Sequence, residues 1–93
     1  MKSIYKKKIK TRLRKIGKKN ILIIMDDFYE LNELGVEIID RINGVNSVEI
    51  IIKELLLIYS VDTDILKSDV SKFITFLLDI DAIEAVEVWR IMI

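Results

Sequence analysis

This 93-residue chain contains neither cysteine nor histidine. Their absence excludes disulfides, thiolate or imidazole metal ligands, thiol nucleophiles and imidazole general bases. Most of the chemistry open to a small enzyme goes with them. Nor does any apolar run approach the roughly 20 residues that cross a bilayer. The basic N-terminus leads into no signal-type apolar stretch of about 7 to 15 residues ending at small residues. The expectation is therefore a cytoplasmic protein with no membrane partner. A further shortage is local, since residues 1–20 hold no acidic side chain.

What is present is enough to fold. Hydrophobic residues make up 52% of the chain and charged residues 32%, which argues against disorder. A chain of this length makes one small domain that buries roughly 60 to 65% of its unfolded surface. The zero net charge hides a segregation: residues 1–20 carry ten of the fifteen basic residues, and the other 73 carry five basic against fifteen acidic ones. One reading is a solvated tail or a lysine-studded edge strand that discourages edge pairing. The other is an electrostatic handle for an anionic partner.

Alternation over Lys8–Ile16 predicts a strand with Ile9, Thr11 and Leu13 on one side, followed by a turn over Gly17 to Asn20. The β-branched run Ile21-Leu22-Ile23-Ile24-Met25 and the turn pair Asp26-Asp27 continue it as a hairpin. Strands near 8–16, 20–26 and 27–32 with short connections predict an antiparallel meander. Helices must cover one of its faces, leaving an edge strand available. Phe28-Tyr29-Glu30-Leu31-Asn32-Glu33-Leu34-Gly35 then runs from strand to helix with no linker.

The first helix is predicted over Glu33–Asn43, capped by Asn32, stopped at Asn43-Gly44, with Leu34, Ile38 and Ile42 inward. The second is predicted over Val48–Tyr59 with Ser47 as its cap. Its apolar residues nearly encircle the axis, so Ile50 and Leu57 are either isolated exposed residues or the contact of a homodimer. The third begins after Asp62-Thr63 and runs to about Asp81. Leu66, Val70, Phe73 and Leu77 form its core stripe. Beside that stripe lie Ile65, Asp69, Lys72, Phe76 and Ile80, which form either a groove wall or the margin of a wide core face.

Two other function classes fare poorly. The carboxylate pairs Asp26-Asp27 and Asp79 with Asp81 make no convincing acid/base or metal site, because the first serves a turn and acids two apart on a helix diverge by about 200°. A winged-helix nucleic-acid binder is the alternative reading. Its recognition helix would have to be Asp64–Asp81, which offers Lys67 and Lys72 among four aspartates, so insertion in a major groove is disfavoured. Nonspecific nucleic-acid binding by the basic arm stays open.

The order strand-strand-strand-helix-helix-helix resembles the PqqD-like family, the precursor-peptide recognition element of ribosomally made, post-translationally modified peptide (RiPP) biosynthesis. Carrying the resemblance are Tyr29-Glu30-Leu31-Asn32, the helix Leu34 to Ile42, and Asn43-Gly44 before Ser47-Val48-Glu49. Leu55 and Tyr59, Asp69-Val70, and Phe73 to Leu78 complete it. It covers roughly residues 8 to 84 and implies an α+β, winged helix-turn-helix-like fold with a three-stranded antiparallel sheet followed by three helices. The domain divides into a basic arm and first strand (1–19), a core (20–84) and an apolar tail (85–93). The family usually has a glycine where this chain has Asp81-Ala82-Ile83, and the tail is an addition.

The resemblance implies a peptide chaperone, not an enzyme, with no cofactor. Its partners are a leader peptide and a modifying enzyme, such as a radical S-adenosylmethionine enzyme or a leader protease. The leader adds as a strand beside the third strand, so the implied peptide-binding edge is Asp27, Phe28, Tyr29, Glu30, Leu31 and Asn32. The opposite wall is Ile65, Asp69, Lys72, Phe76 and Ile80. Tyr29 and Phe76 are expected to wall an apolar pocket, while Glu30, Asp69 and Lys72 read charge. The tail, with the single Trp89, is expected to cap the core, lie in the groove or join a second subunit.

Overall fold

The computed structural model describes residues 3–86. Strands β2 (Thr11–Ile16), β3 (Lys19–Ile24) and β4 (Asp27–Leu31) form the expected antiparallel meander, in the order β2-β3-β4. Two tight turns set its register. Gly17, at φ 63, opens the turn inside the Ile16–Lys19 pair, and Met25, at φ 55, opens the turn inside Ile24–Asp27. A positive φ at the first loop position suits the right-handed twist of the flanking strands. The second turn thus falls on Met25-Asp26, one residue before the expected pair, and Asp27 is already strand.

Side chains alternate across the sheet. Leu22, Ile24 and Leu31 are buried toward the helices, with Leu13 and Tyr29 packed beside them. On the opposite face, pairing aligns Arg12, Ile23 and Phe28 in one row and Arg14, Ile21 and Glu30 in the next.

Helix α1 (Glu33–Arg41) begins where Asn32 Oδ1 accepts a hydrogen bond from Gly35 N at 2.8 Å. Ser47 caps α2 (Val48–Ile58) by accepting from Ile50 N, and Asp62 caps α3 (Thr63–Asp79) by accepting from Asp64 N and Ile65 N. Each cap satisfies amide donors that the helix itself cannot. Arg41 ties α1 to α2, donating to Glu37 Oε2 at 2.6 Å and to Glu54 Oε1 at 3.1 Å. The core lies between the helices and the sheet, with Leu22, Ile38, Ile51, Leu55, Val70 and Leu77 almost entirely out of solvent. Ile39 and Ile74 join it, widening the stripes that periodicity indicated.

The N-terminal segment differs from expectation. The first long strand starts at Thr11, not Lys8, because Thr11 N donates to Lys8 O at 2.9 Å and closes a turn that leaves Ile9 fully exposed. Before that turn, β1 (Tyr5–Lys7) pairs antiparallel with β5 (Ile83–Ala85) in a separate two-stranded ribbon. The stretch Tyr5–Lys8 of the basic arm is therefore tied down. Lys6 pairs with Glu84 at 3.3 Å, Lys8 with Asp81, and Lys7 Nζ donates to Ile39 O near the end of α1.

Within the Asp81-Ala82-Ile83 segment, Asp81 adopts φ 64, the left-handed region that favours glycine. Asp81 N donates to Leu78 O at 3.1 Å and Ala82 N to Leu77 O at 2.9 Å, the paired bonds of a Schellman stop. Asp81 therefore holds a glycine-like backbone geometry and also pairs with Lys8. Among the described residues, no helix is long and apolar enough to cross a membrane. The expectations for Trp89 and the rest of the tail beyond Val86 lie outside the described residues.

Candidate functional site

β4 is an outer strand. Only β3 pairs with it among the described residues, so the other side of Asp27–Leu31 has no partner strand. Such an edge presents backbone N–H and C=O groups that another extended chain can pair with.

Beside this edge, the start of α1 and the middle of α3 enclose an open groove of about 420 Å³. One wall is Asn32, Leu34, Gly35 and Ile38; the other is Asp69, Lys72, Phe73 and Phe76. Tyr29 reaches the second wall from β4, its ring meeting Phe76 at 5.4 Å, and Phe76 stacks on Phe73 at 6.0 Å. Ile38 is buried and Leu34, Phe73 and Phe76 are half-buried, whereas Asp69 and Lys72 are exposed. Asp69 and Lys72 enter none of the ion pairs found among the described residues, so both charges face water.

Of the residues singled out from sequence, Asn32, Asp69, Lys72 and Phe76 line this groove, and Tyr29 abuts it. Leu31 lies on the edge strand but buries its side chain in the core. Asp27 begins that strand at the turn, exposed. Phe28 and Glu30 project from the other face of the sheet, where Glu30 pairs with Lys19 at 3.8 Å. Ile65 and Ile80 are outside the groove: Ile65 is 61% exposed in the first turn of α3, and Ile80 packs on the core at its end. The reason is length. A 17-residue helix spans about 25 Å, whereas only the opening turns of α1 face it.

Helical periodicity places Leu34, Ile38 and Phe73 in core stripes and gives Gly35 no role, yet all four line the groove. A Cβ at Gly35 would lie 3.2 Å from Phe73 Cζ and 3.3 Å from Asn32 Oδ1. Glycine there lets α1 and α3 approach closely, and a glycine inside a helix is the sequence signal that points to such an approach. On α2, Ile50 and Leu57 are both exposed.

A family model described as coenzyme PQQ synthesis protein D (PqqD) matches residues 19–83. Among solved structures, TbiB1 in complex with the TbiA(beta) leader peptide is similar in fold, with a TM-score of 0.73 and 20% identity over 85% of this chain and 94% of that one. No curated protein matches the chain.

Proposed function

Because this chain belongs to the PqqD family, we propose that it is a non-catalytic module that captures the leader segment of a ribosomally made precursor peptide and presents it to a maturation enzyme. The observation that carries this reading is the edge of β4, unpaired among the described residues, lying directly beside the groove between α1 and α3. An extended leader adds as a further strand along Asp27–Leu31. Main-chain hydrogen bonds supply register and affinity, and alternate side chains enter the groove to supply specificity. TbiB1, which shares the fold, is a protein in complex with a leader peptide.

On this reading, the apolar walls Phe73, Phe76, Leu34 and Ile38 take a hydrophobic leader side chain, and Asp69 and Lys72 select charge at its flanks. Catalysis belongs to the partner. Holding the leader raises the effective concentration of the modifiable segment at the enzyme's active site, without the module touching the reacting atoms.

Calorimetry with the leader segment of a candidate precursor peptide, sought among the genes adjoining this one, tests the reading. Ordering an extended peptide costs entropy, so a Kd from micromolar to high nanomolar is expected, about −8 to −10 kcal/mol. Phe76→Asp weakens binding at least tenfold, and Lys72→Glu shifts it without removing a packed ring. No binding by the wild type, or no change in either variant, rejects the assignment.

A further inference from the structure

The two outer strands of the sheet differ in a way that edge protection does not explain. On the face turned away from the helices, one row runs Arg12, Ile23, Phe28 and the next runs Arg14, Ile21, Glu30. In both rows β2 ends in an arginine, a charged side chain of the kind with which natural sheets blunt an edge. In the same rows β4 ends in Phe28, 65% exposed, and in Glu30. Both are flanked from one side alone. Ile23 stands across from Phe28 and Ile21 across from Glu30, and Lys19, also on β3, meets Glu30 at 3.8 Å with both side chains more than half exposed. Beyond β4 no strand stands among the described residues.

A leader strand added along Asp27–Leu31 turns its side chains alternately to the two faces of the sheet. Those on the inner face meet Tyr29 and the groove lined by Phe73 and Phe76. Every second one lands instead on the outer face, in line with Phe28 or Glu30. We propose that Phe28 and Glu30 read these outward side chains, so that the leader carries a basic residue opposite Glu30 and, two residues away, a β-branched or aromatic residue opposite Phe28. The residue between those two faces the groove. The inference rests on the proposed leader-binding role and adds a second row of specificity to it.

Directly opposite side chains on one face of a sheet stand about 4.5 to 5.5 Å apart, where aromatic and β-branched groups pack, opposite charges attract and like charges repel. The strand Asp27-Phe28-Tyr29-Glu30-Leu31 holds two acids and no base, and Glu33 follows in the first turn of α1. A basic guest is matched there and an acidic one is rejected. The same charge disfavours a second copy of this chain as the guest, since pairing β4 with β4 sets one acidic strand against another.

The test uses the full chain and the candidate leader segment, synthesised with each residue changed in turn to Lys, Glu, Ile and Ser. The wild type is expected to prefer Lys to Glu at one position and Ile to Ser at a position two residues from it, each by about two- to fivefold. Glu30→Lys is expected to reverse the charge preference at the first position alone. Glu30→Gln, which keeps the shape and removes the charge, is expected to erase that preference without reversing it. Phe28→Ser is expected to erase the second preference alone. If no candidate leader binds the wild type, the proposed function falls and this inference with it. Leader binding whose preferences are the same in the variants, or whose affinity changes equally at every position as net charge alone would make it, overturns the outward reading and leaves the proposed function standing. So does leader-insensitive self-association in sedimentation that Phe28→Ser abolishes, which assigns the outward row to a second copy.

Discussion

The ring of Tyr29, on the edge strand, meets the ring of Phe76, on α3, edge to face, with centroids 5.4 Å apart and planes at 83°. The contact joins the outer strand of the sheet to the groove wall, so a chain pairing with β4 lies directly against an aromatic surface. An edge-to-face pair is worth about 0.5 to 1.5 kcal/mol beyond the area it buries. Tyr29→Ala, Phe76→Ala and the double variant, unfolded in urea, are expected to show a coupling energy in that range. Additive effects would mean that the rings do not communicate.

Gly35 sets how close α1 and α3 stand. Replacing it with alanine favours the helix by up to about 1 kcal/mol but places a Cβ 3.2 Å from Phe73 Cζ. Phe73, which lines the groove, must then give by a few tenths of an ångström. Gly35→Ala is expected to change stability by less than about 1 kcal/mol and to weaken leader binding several-fold. Unchanged leader affinity in calorimetry would show that the groove tolerates the shift.

Asn32 both caps α1 and lines the groove. Removing the cap costs about 1 kcal/mol, within a range of about 0.5 to 2. Asn32→Ala is therefore expected to lower the urea midpoint with its slope unchanged, and Asn32→Asp to restore it, since aspartate caps equally well. Failure of the aspartate to rescue would place the effect in the groove and not in the cap.

Lys8 holds its proton more tightly than an ordinary lysine. The hydrogen bond to Asp81 is the main cause, burial works against it, and the charges of Asp81 and Glu84 add to the rise. A pKa raised on folding contributes stability that is complete below the unfolded value, about 10.4, and is lost as pH rises through the higher folded value. Melting temperatures between about pH 9 and 11.5 are expected to fall more for the wild type than for Asp81→Asn. Parallel curves would show that the pair contributes nothing to folding.

Much of the fold was legible because its signals are local. The caps Asn32 and Ser47, the three helices and the meander follow from short-range chemistry, and all are present within two residues of the expected bounds except the start of the first strand. The first strand was read too long because Lys8–Lys10 continues the alternation of Lys and Ile, while the chain turns there to let Thr11 Oγ1 donate to Ala82 O at 2.6 Å. That partner is 71 residues away, and no local pattern reports it. The β1–β5 ribbon went unseen for the same reason, since three-residue strands at opposite ends of the chain recognise each other only once the helices have brought them together.

The groove divides in the same way. Phe76, Asp69 and Lys72 were legible from helical spacing, which puts them in one row, but spacing cannot say where along the row a second element stands. By itself the sequence determined the class of fold, the exclusion of cysteine and histidine chemistry, the helix starts and the family, because composition, capping and periodicity act within a few residues of one another. Only the tertiary structure decided that Phe73 and Gly35 belong to the groove, that Glu30 and Phe28 face away from it, and that Lys6, Lys7 and Lys8 of the basic arm are paired. Those outcomes depend on which surfaces compete successfully for the same contact, a competition settled by packing between elements distant in the chain.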